Sequence, residues 1–187
     1  MPQLDSKTTA LVLIDLQKGI VANQFAPHSA DDVVARAKTL AERFRAAGAP
    51  VVLVHVGFTD PAETPSQNVD EPSMPSGDVP PEFFELVPGL RQQGDAVVFK
   101  HHWGAFIGTD LDLQLRRRGV KTIVLTGIST NMGVESTLRS GWELSYDMVV
   151  AEDACSSRSA EMHRFAFNNI FPKIARIRAS DDIAFAD

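Results

Sequence analysis

Residues 121–154 read KTIVLTGISTNMGVESTLRSGWELSYDMVVAEDA, and this stretch decides the fold. An apolar, β-branched run, KTIVLTG (121–127), passes into a cluster of small polar residues. Segment 132–144 then places Val134, Leu138 and Trp142 on one helical stripe, and DMVVAEDA (147–154) reads as a second strand. Strands joined through a crossover helix pair in parallel, because the helix carries the chain back to the end at which it started. The first run barely alternates apolar with polar residues, which suits a strand buried on both faces.

The same unit repeats on either side. TTALVLIDL (8–16), PVVLVHVGF (50–58) and DAVVFK (95–100) are further strands, and KIARIR (173–178) is a weaker sixth. Helical spacing runs through 30–47, where Val33, Ala37, Leu40, Phe44 and Ala47 recur before Gly48 and Pro50 stop the helix. A shorter helix spans 110–118 and ends at Gly119. Segment 159–170 aligns Met162, Phe165 or Ala166, and Ile170, with Pro172 closing it. The pattern predicts a doubly wound, three-layer α/β/α domain over 1–187, with a mostly parallel six-stranded sheet. Residues 59–94 interrupt the rhythm: they hold most of the chain's 11 prolines and predict a long loop of the kind that covers a site or contacts a partner.

Composition narrows the function. With 187 residues, 44% hydrophobic and 22% charged, the chain has the profile of a soluble globular protein. A net charge of −6 argues against nucleic acid as a partner. No apolar run approaches the roughly 20 residues of a membrane span. The opening stretch has no basic region followed by an apolar core, so no secretory signal is expected. One cysteine, Cys155, fits a reducing, cytoplasmic setting.

In a doubly wound sheet the functional crevice lies at the carboxyl ends of the strands. Three features converge there: Asp15 ends the first strand, Lys100 ends the third, and TGISTNMG follows the fourth. A carboxyl leaving an apolar strand has its pKa raised by burial and lowered by a nearby ammonium, so Asp15 and Lys100 together form a tunable acid–base pair. Gln17, Trp103, Phe106, Thr130 and Asn131 are candidates for the pocket wall. No glycine-rich dinucleotide or phosphate loop is present, and the five histidines lack metal-ligand spacing, so no cofactor and no metal are expected. Cys155 lies after the fifth strand with no base nearby in sequence and reads as a buried structural thiol.

Taken as a set and in order, ALVLIDLQ, KHHWGAFIGTDL, LTGISTNMGVEST and VVAEDACSS resemble the isochorismatase-like, or cysteine hydrolase, superfamily over roughly residues 7 to 180. Most members use an Asp, a Lys and a Cys; Asp15 and Lys100 match the first two, and the Cys position falls on Gly133. The resemblance also implies a non-proline cis peptide at Ile128–Ser129, forming an oxyanion-binding turn, and a homo-oligomer, dimer or tetramer. Without a thiolate no thioester can form. True isochorismatases also carry Gly there and hydrolyse a vinyl ether, a reaction that needs a proton donor and water but no sulfur. The resemblance therefore implies a metal-free hydrolase of a small molecule, with Asp15 as general acid. A retired member that only binds a ligand, and an amidase using Cys155, are the competing readings.

One feature runs against a dianionic substrate such as isochorismate. No Lys or Arg lies between Arg45 and Arg91, whereas Asp60, Glu63, Asp70, Glu71, Asp78, Glu82 and Glu85 do. If this loop covers the site, it is expected to repel such a substrate.

Overall fold

Two hydrophobic layers sandwich a six-stranded parallel sheet, and the continuous apolar strands of the sequence are the reason. The computed structural model describes residues 3–66, 68–72 and 79–186. Strands β1 (Thr9–Ile14), β2 (Val51–Val56), β3 (Ala96–Lys100), β4 (Thr122–Ile128), β5 (Asp147–Ser156) and β6 (Arg176–Arg178) lie in the order β3-β2-β1-β4-β5-β6. All five pairings are parallel, where the sequence predicts a mostly parallel sheet.

Alternate side chains of each strand enter opposite layers, as the pleat requires. Leu11, Leu13, Leu53, Val124 and Val149 pack with Val33, Ala37, Leu40 and Phe44 of helix α2 (Ala30–Ala46), which follows the short α1 (Lys18–Val21). Val12, Ile14, Val54 and Leu125 face the other way, onto Leu111 and Leu115 of α3 (Leu111–Arg117) and Leu138 of α4 (Glu135–Glu143). The N-cap Ser29 accepts the Asp32 N–H at 3.1 Å, and Gly48 takes φ +69° just past the end of α2, so the predicted start and stop signals act as such.

The helix faces differ from the sequence expectation in two places. Trp142 is 51% exposed, because Gly141 turns toward the sheet instead; a β-carbon there would meet Met148 Sδ at 2.8 Å. In α5 (Ala160–Phe165), Met162 and Phe165 point to solvent, while His163, Ala166 and Phe167 are buried. A π-helical turn follows at Ala166–Ile170 and another precedes α4 at Thr130–Val134. A π turn inserts a residue into the helical repeat and rotates the stripe that meets the sheet.

Within the 59–94 segment, short 3₁₀ turns occur at Pro61–Glu63 and Pro81–Phe84, and residues 67 and 73–78 lie outside the described residues. No helix among the described residues is long and apolar enough to cross a membrane.

Candidate active site

Strand order reverses between β1 and β4, so the loops leaving their carboxyl ends diverge and open a crevice. Asp15 stands at that point. Its backbone turns into the left-handed region (φ +54°), which Asp tolerates better than most residues. Its N–H still donates to Val54 O at 2.9 Å. The turn removes the side chain from the pleat of β1 and presents it at the sheet edge.

Lys100, the last residue of β3, is only 1% exposed. Its Nζ donates to Asp15 Oδ2 at 2.8 Å and to Trp103 O at 2.7 Å. Burial pushes the Asp15 carboxyl above the usual carboxylate range; the Lys100 charge and hydrogen bond pull it only part of the way back. Asp15 Oδ1 is buried and has no hydrogen-bond partner, which adds to the cost of ionising the group.

The third component comes from β4. At Gly127 (φ +125°) a β-carbon would fall 2.2 Å from Ile14 O, so only glycine lets the end of β4 lie this close to β1. The Ile128–Ser129 peptide is cis. Ser129 O then accepts the N–H groups of Met132 (3.1 Å) and Val134 (3.2 Å), winding the turn that carries Gly133. A β-carbon at Gly133 would stand 3.1 Å from Asp15 Oδ2, 3.4 Å from Lys100 Nζ and 3.0 Å from Ile14 Cγ2. Gly133 O accepts the Thr137 hydroxyl at 2.7 Å, and that same hydroxyl accepts the Ala105 N–H at 3.0 Å. The turn is thereby tied to the loop whose Trp103 carbonyl holds Lys100.

These residues form the floor of a cavity of about 340 Å³. Its walls are largely aromatic, with Phe25, Phe58, Phe83, Phe84 and Trp103, and Arg158 also lines it. Of the sequence candidates, Asp15, Lys100, Gly133, Ile128, Ser129 and Trp103 all line this space. Four others do not, each for a visible reason. Gln17 is fully buried, its amide bonded to Val56 N and O and to Phe84 O at 2.8–2.9 Å. Phe106 stacks on Tyr146, with ring centroids 5.8 Å apart. Thr130 Oγ1 bonds to His163 Nδ1 at 2.9 Å, and Asn131 Oδ1 accepts the Ser157 hydroxyl at 2.5 Å.

The described acids of the 59–94 segment do not line the cavity, where the sequence suggests an acidic cover. Pro72, Phe83 and Phe84 reach the walls, but Asp15 is the only acid among the described lining residues. Glu63 instead accepts the Thr59 and Asp60 N–H groups, and Glu85 pairs with Lys18 at 2.5 Å; Asp78 lies outside the described residues. Cys155 is fully buried in the core layer shared with Ile14 and Val134, burial raises its thiol pKa, and it does not line the cavity. Among the described residues no group of three or more His, Cys, Asp or Glu is placed to hold a metal ion.

Residues 9–182 match the isochorismatase domain. The chain belongs to the isochorismatase family. It is 54% identical, over 98% of both chains, to the uncharacterized isochorismatase family protein YecD of Escherichia coli O157:H7. Ureidoacrylate amidohydrolase RutB of Methylobacterium radiotolerans is 33% identical over 89% of this chain and 74% of its own. The solved structure of an isochorismatase family protein from Burkholderia thailandensis superposes with a TM-score of 0.92 at 46% identity, covering 98% of this chain and 96% of that one. The protein is thus an isochorismatase-family hydrolase.

Sequence reasoning missed the aromatic walls and Arg158 of this family member. Arg158 had a signal: it lies just past Ser156, the end of β5, where the carboxyl-edge rule applies as it does to β1, β3 and β4. Phe25, Phe58, Phe83 and Phe84 had none, because they come from loops that only the tertiary fold brings together.

Proposed function

We propose that this isochorismatase-family hydrolase cleaves a vinyl ether on a small cyclic or aromatic molecule by general acid catalysis from Asp15. The observation that carries this reading is the position of Gly133. The backbone offers a site within 3.4 Å of both Asp15 Oδ2 and Lys100 Nζ, yet no side chain fills it, and the one thiol lies in the core. No side chain of residue 133 therefore stands between the carboxyl and the cavity, which suits a substrate approaching Asp15 rather than a nucleophile beside it.

The step balances without a cofactor. Protonated Asp15 donates its proton to the terminal carbon of the C=C–O unit, which leaves an oxocarbenium ion. Water adds to the cationic carbon and gives up a proton to the Asp15 carboxylate. The resulting hemiacetal or hemiketal collapses to a carbonyl compound and an alcohol. The raised pKa of Asp15 keeps a proton available, and the Lys100 ammonium steadies the carboxylate formed in between. Five aromatic rings favour a flat or cyclic body over a chain.

The test is hydrolysis of 4-(vinyloxy)benzoate to 4-hydroxybenzoate and acetaldehyde, with the matching amides as controls. Asp15→Asn should lower kcat/KM by at least 10²–10⁴-fold, roughly the contribution of a general acid. Because the acid must be protonated, kcat/KM should be level at low pH and fall as pH rises through the Asp15 pKa. Turnover that survives Asp15→Asn, or amide cleavage in place of vinyl-ether cleavage, refutes the mechanism.

A further inference from the structure

The charges facing the cavity do not cancel. On the floor the Lys100 ammonium is already engaged, donating to Asp15 Oδ2 and to Trp103 O. Arg158 remains. Its guanidinium donates to the neutral Asn23 Oδ1 at 3.1 Å and stands 5.5 Å from the Phe25 ring centroid. Both partners line the same cavity, and no carboxylate among the described residues pairs with Arg158. A chain of net charge −6 thus holds an unpaired guanidinium at its aromatic-walled cavity, oriented by an amide and a ring rather than neutralised by an acid.

We infer that Arg158 is a specificity-determining residue that receives a carboxylate of the substrate, and that the substrate carries one such group rather than two. The inference rests on the cavity being the substrate site, as proposed above. A guanidinium presents parallel N–H donors that match a planar carboxylate. The site provides one such fork, and the second cation on the floor is already bonded. The substrate is therefore an aromatic or cyclic monocarboxylate, its acid group at Arg158 and its reacting carbon toward Asp15.

Equilibrium binding of unreactive probes tests this without turnover. Benzoate, phenylacetate and 4-hydroxybenzoate, each beside its neutral amide, are titrated by calorimetry or NMR into the wild type and the Arg158→Gln and Arg158→Lys variants. Arg158 is solvent-exposed, so water and salt screen its charge. Arg158→Gln should weaken carboxylate binding by about three- to thirtyfold and leave amide binding unchanged, with Arg158→Lys in between. Isophthalate should bind no tighter than benzoate.

Carboxylate binding that Arg158→Gln does not weaken, equal weakening of acids and amides, or no binding by any of the three acids overturns the proposal. So does isophthalate binding more than about tenfold tighter than benzoate, a gain of about 1.4 kcal/mol. Turnover separates this from the mechanism. If Asp15→Asn abolishes it while Arg158→Gln leaves probe binding intact, only the anion assignment fails; if Asp15→Asn retains it while probe binding depends on Arg158, only the acid assignment fails.

Discussion

Filling the space beside Gly133 should separate the chemistry of this hydrolase from its stability. In Gly133→Ala the new methyl would sit 3.1 Å from Asp15 Oδ2, 3.4 Å from Lys100 Nζ and 3.0 Å from Ile14 Cγ2. Those contacts are tight, so neighbours must yield by a few tenths of an ångström, and overpacking of this kind costs about 1–3 kcal/mol. Gly133 has a helical-turn backbone, where replacing Gly by Ala contributes about 1 kcal/mol in the other direction. The two terms leave a net change between about zero and a loss of about 2 kcal/mol. Calorimetry should therefore show Tm moving by less than about 8 °C. Catalysis has no such offset. A proton donor must come within roughly 2.6–3.2 Å of the atom it protonates, and the methyl occupies that distance from the carboxyl. Displacing the reacting carbon by a methyl's width should lower kcat/KM for 4-(vinyloxy)benzoate by about 10²-fold or more. A Gly133→Ala enzyme that folds and turns over at the wild-type rate would refute the placement of the reaction beside Gly133.

His163 is buried and held neutral, its pKa lowered to about 4 chiefly by burial, with His28 and Arg164 adding repulsion. The unfolded chain therefore binds one more proton between about pH 6.5 and 4, and stability should fall by roughly 3 kcal/mol as pH drops across that window. Urea titrations at pH 7 and 4.5 should show this loss reduced in His163→Gln. The buried thiol should resist iodoacetamide in the native protein, and Cys155→Ser should retain turnover; fast labelling with loss of activity would return Cys155 to consideration as a nucleophile. Phe99, Trp103 and Ile107 are 36%, 42% and 54% exposed, Trp103 at the cavity itself, apolar surface that a dimer or tetramer would cover. Light scattering should give a multiple of the monomer mass at micromolar concentration, and a monomer there rejects that expectation.

The sequence by itself determined what depends on local period and on strand ends. Runs such as ALVLI and TIVL, short, apolar and rich in β-branched residues, suited strands buried on both faces, so the layers of the sheet were legible, and with them the carboxyl edge where Asp15, Lys100 and Gly133 meet. It misled where one residue sets helical phase. Gly141, by turning inward, left Trp142 in solvent, and α5 buries His163 rather than Met162, one residue out of phase with the apolar reading. Only the tertiary structure decided the cavity walls, because Phe25, Phe58 and Phe84 lie far apart in the chain and no period links them. It also decided the direction of charge. The acids of the 59–94 segment looked like a barrier in a linear reading, yet Glu63 turns to backbone N–H groups and Glu85 to Lys18, and no carboxylate among the described residues pairs with Arg158 at the cavity. Charge counted along a chain gives its amount but not its direction; which way a carboxylate faces depends on the partners that folding supplies.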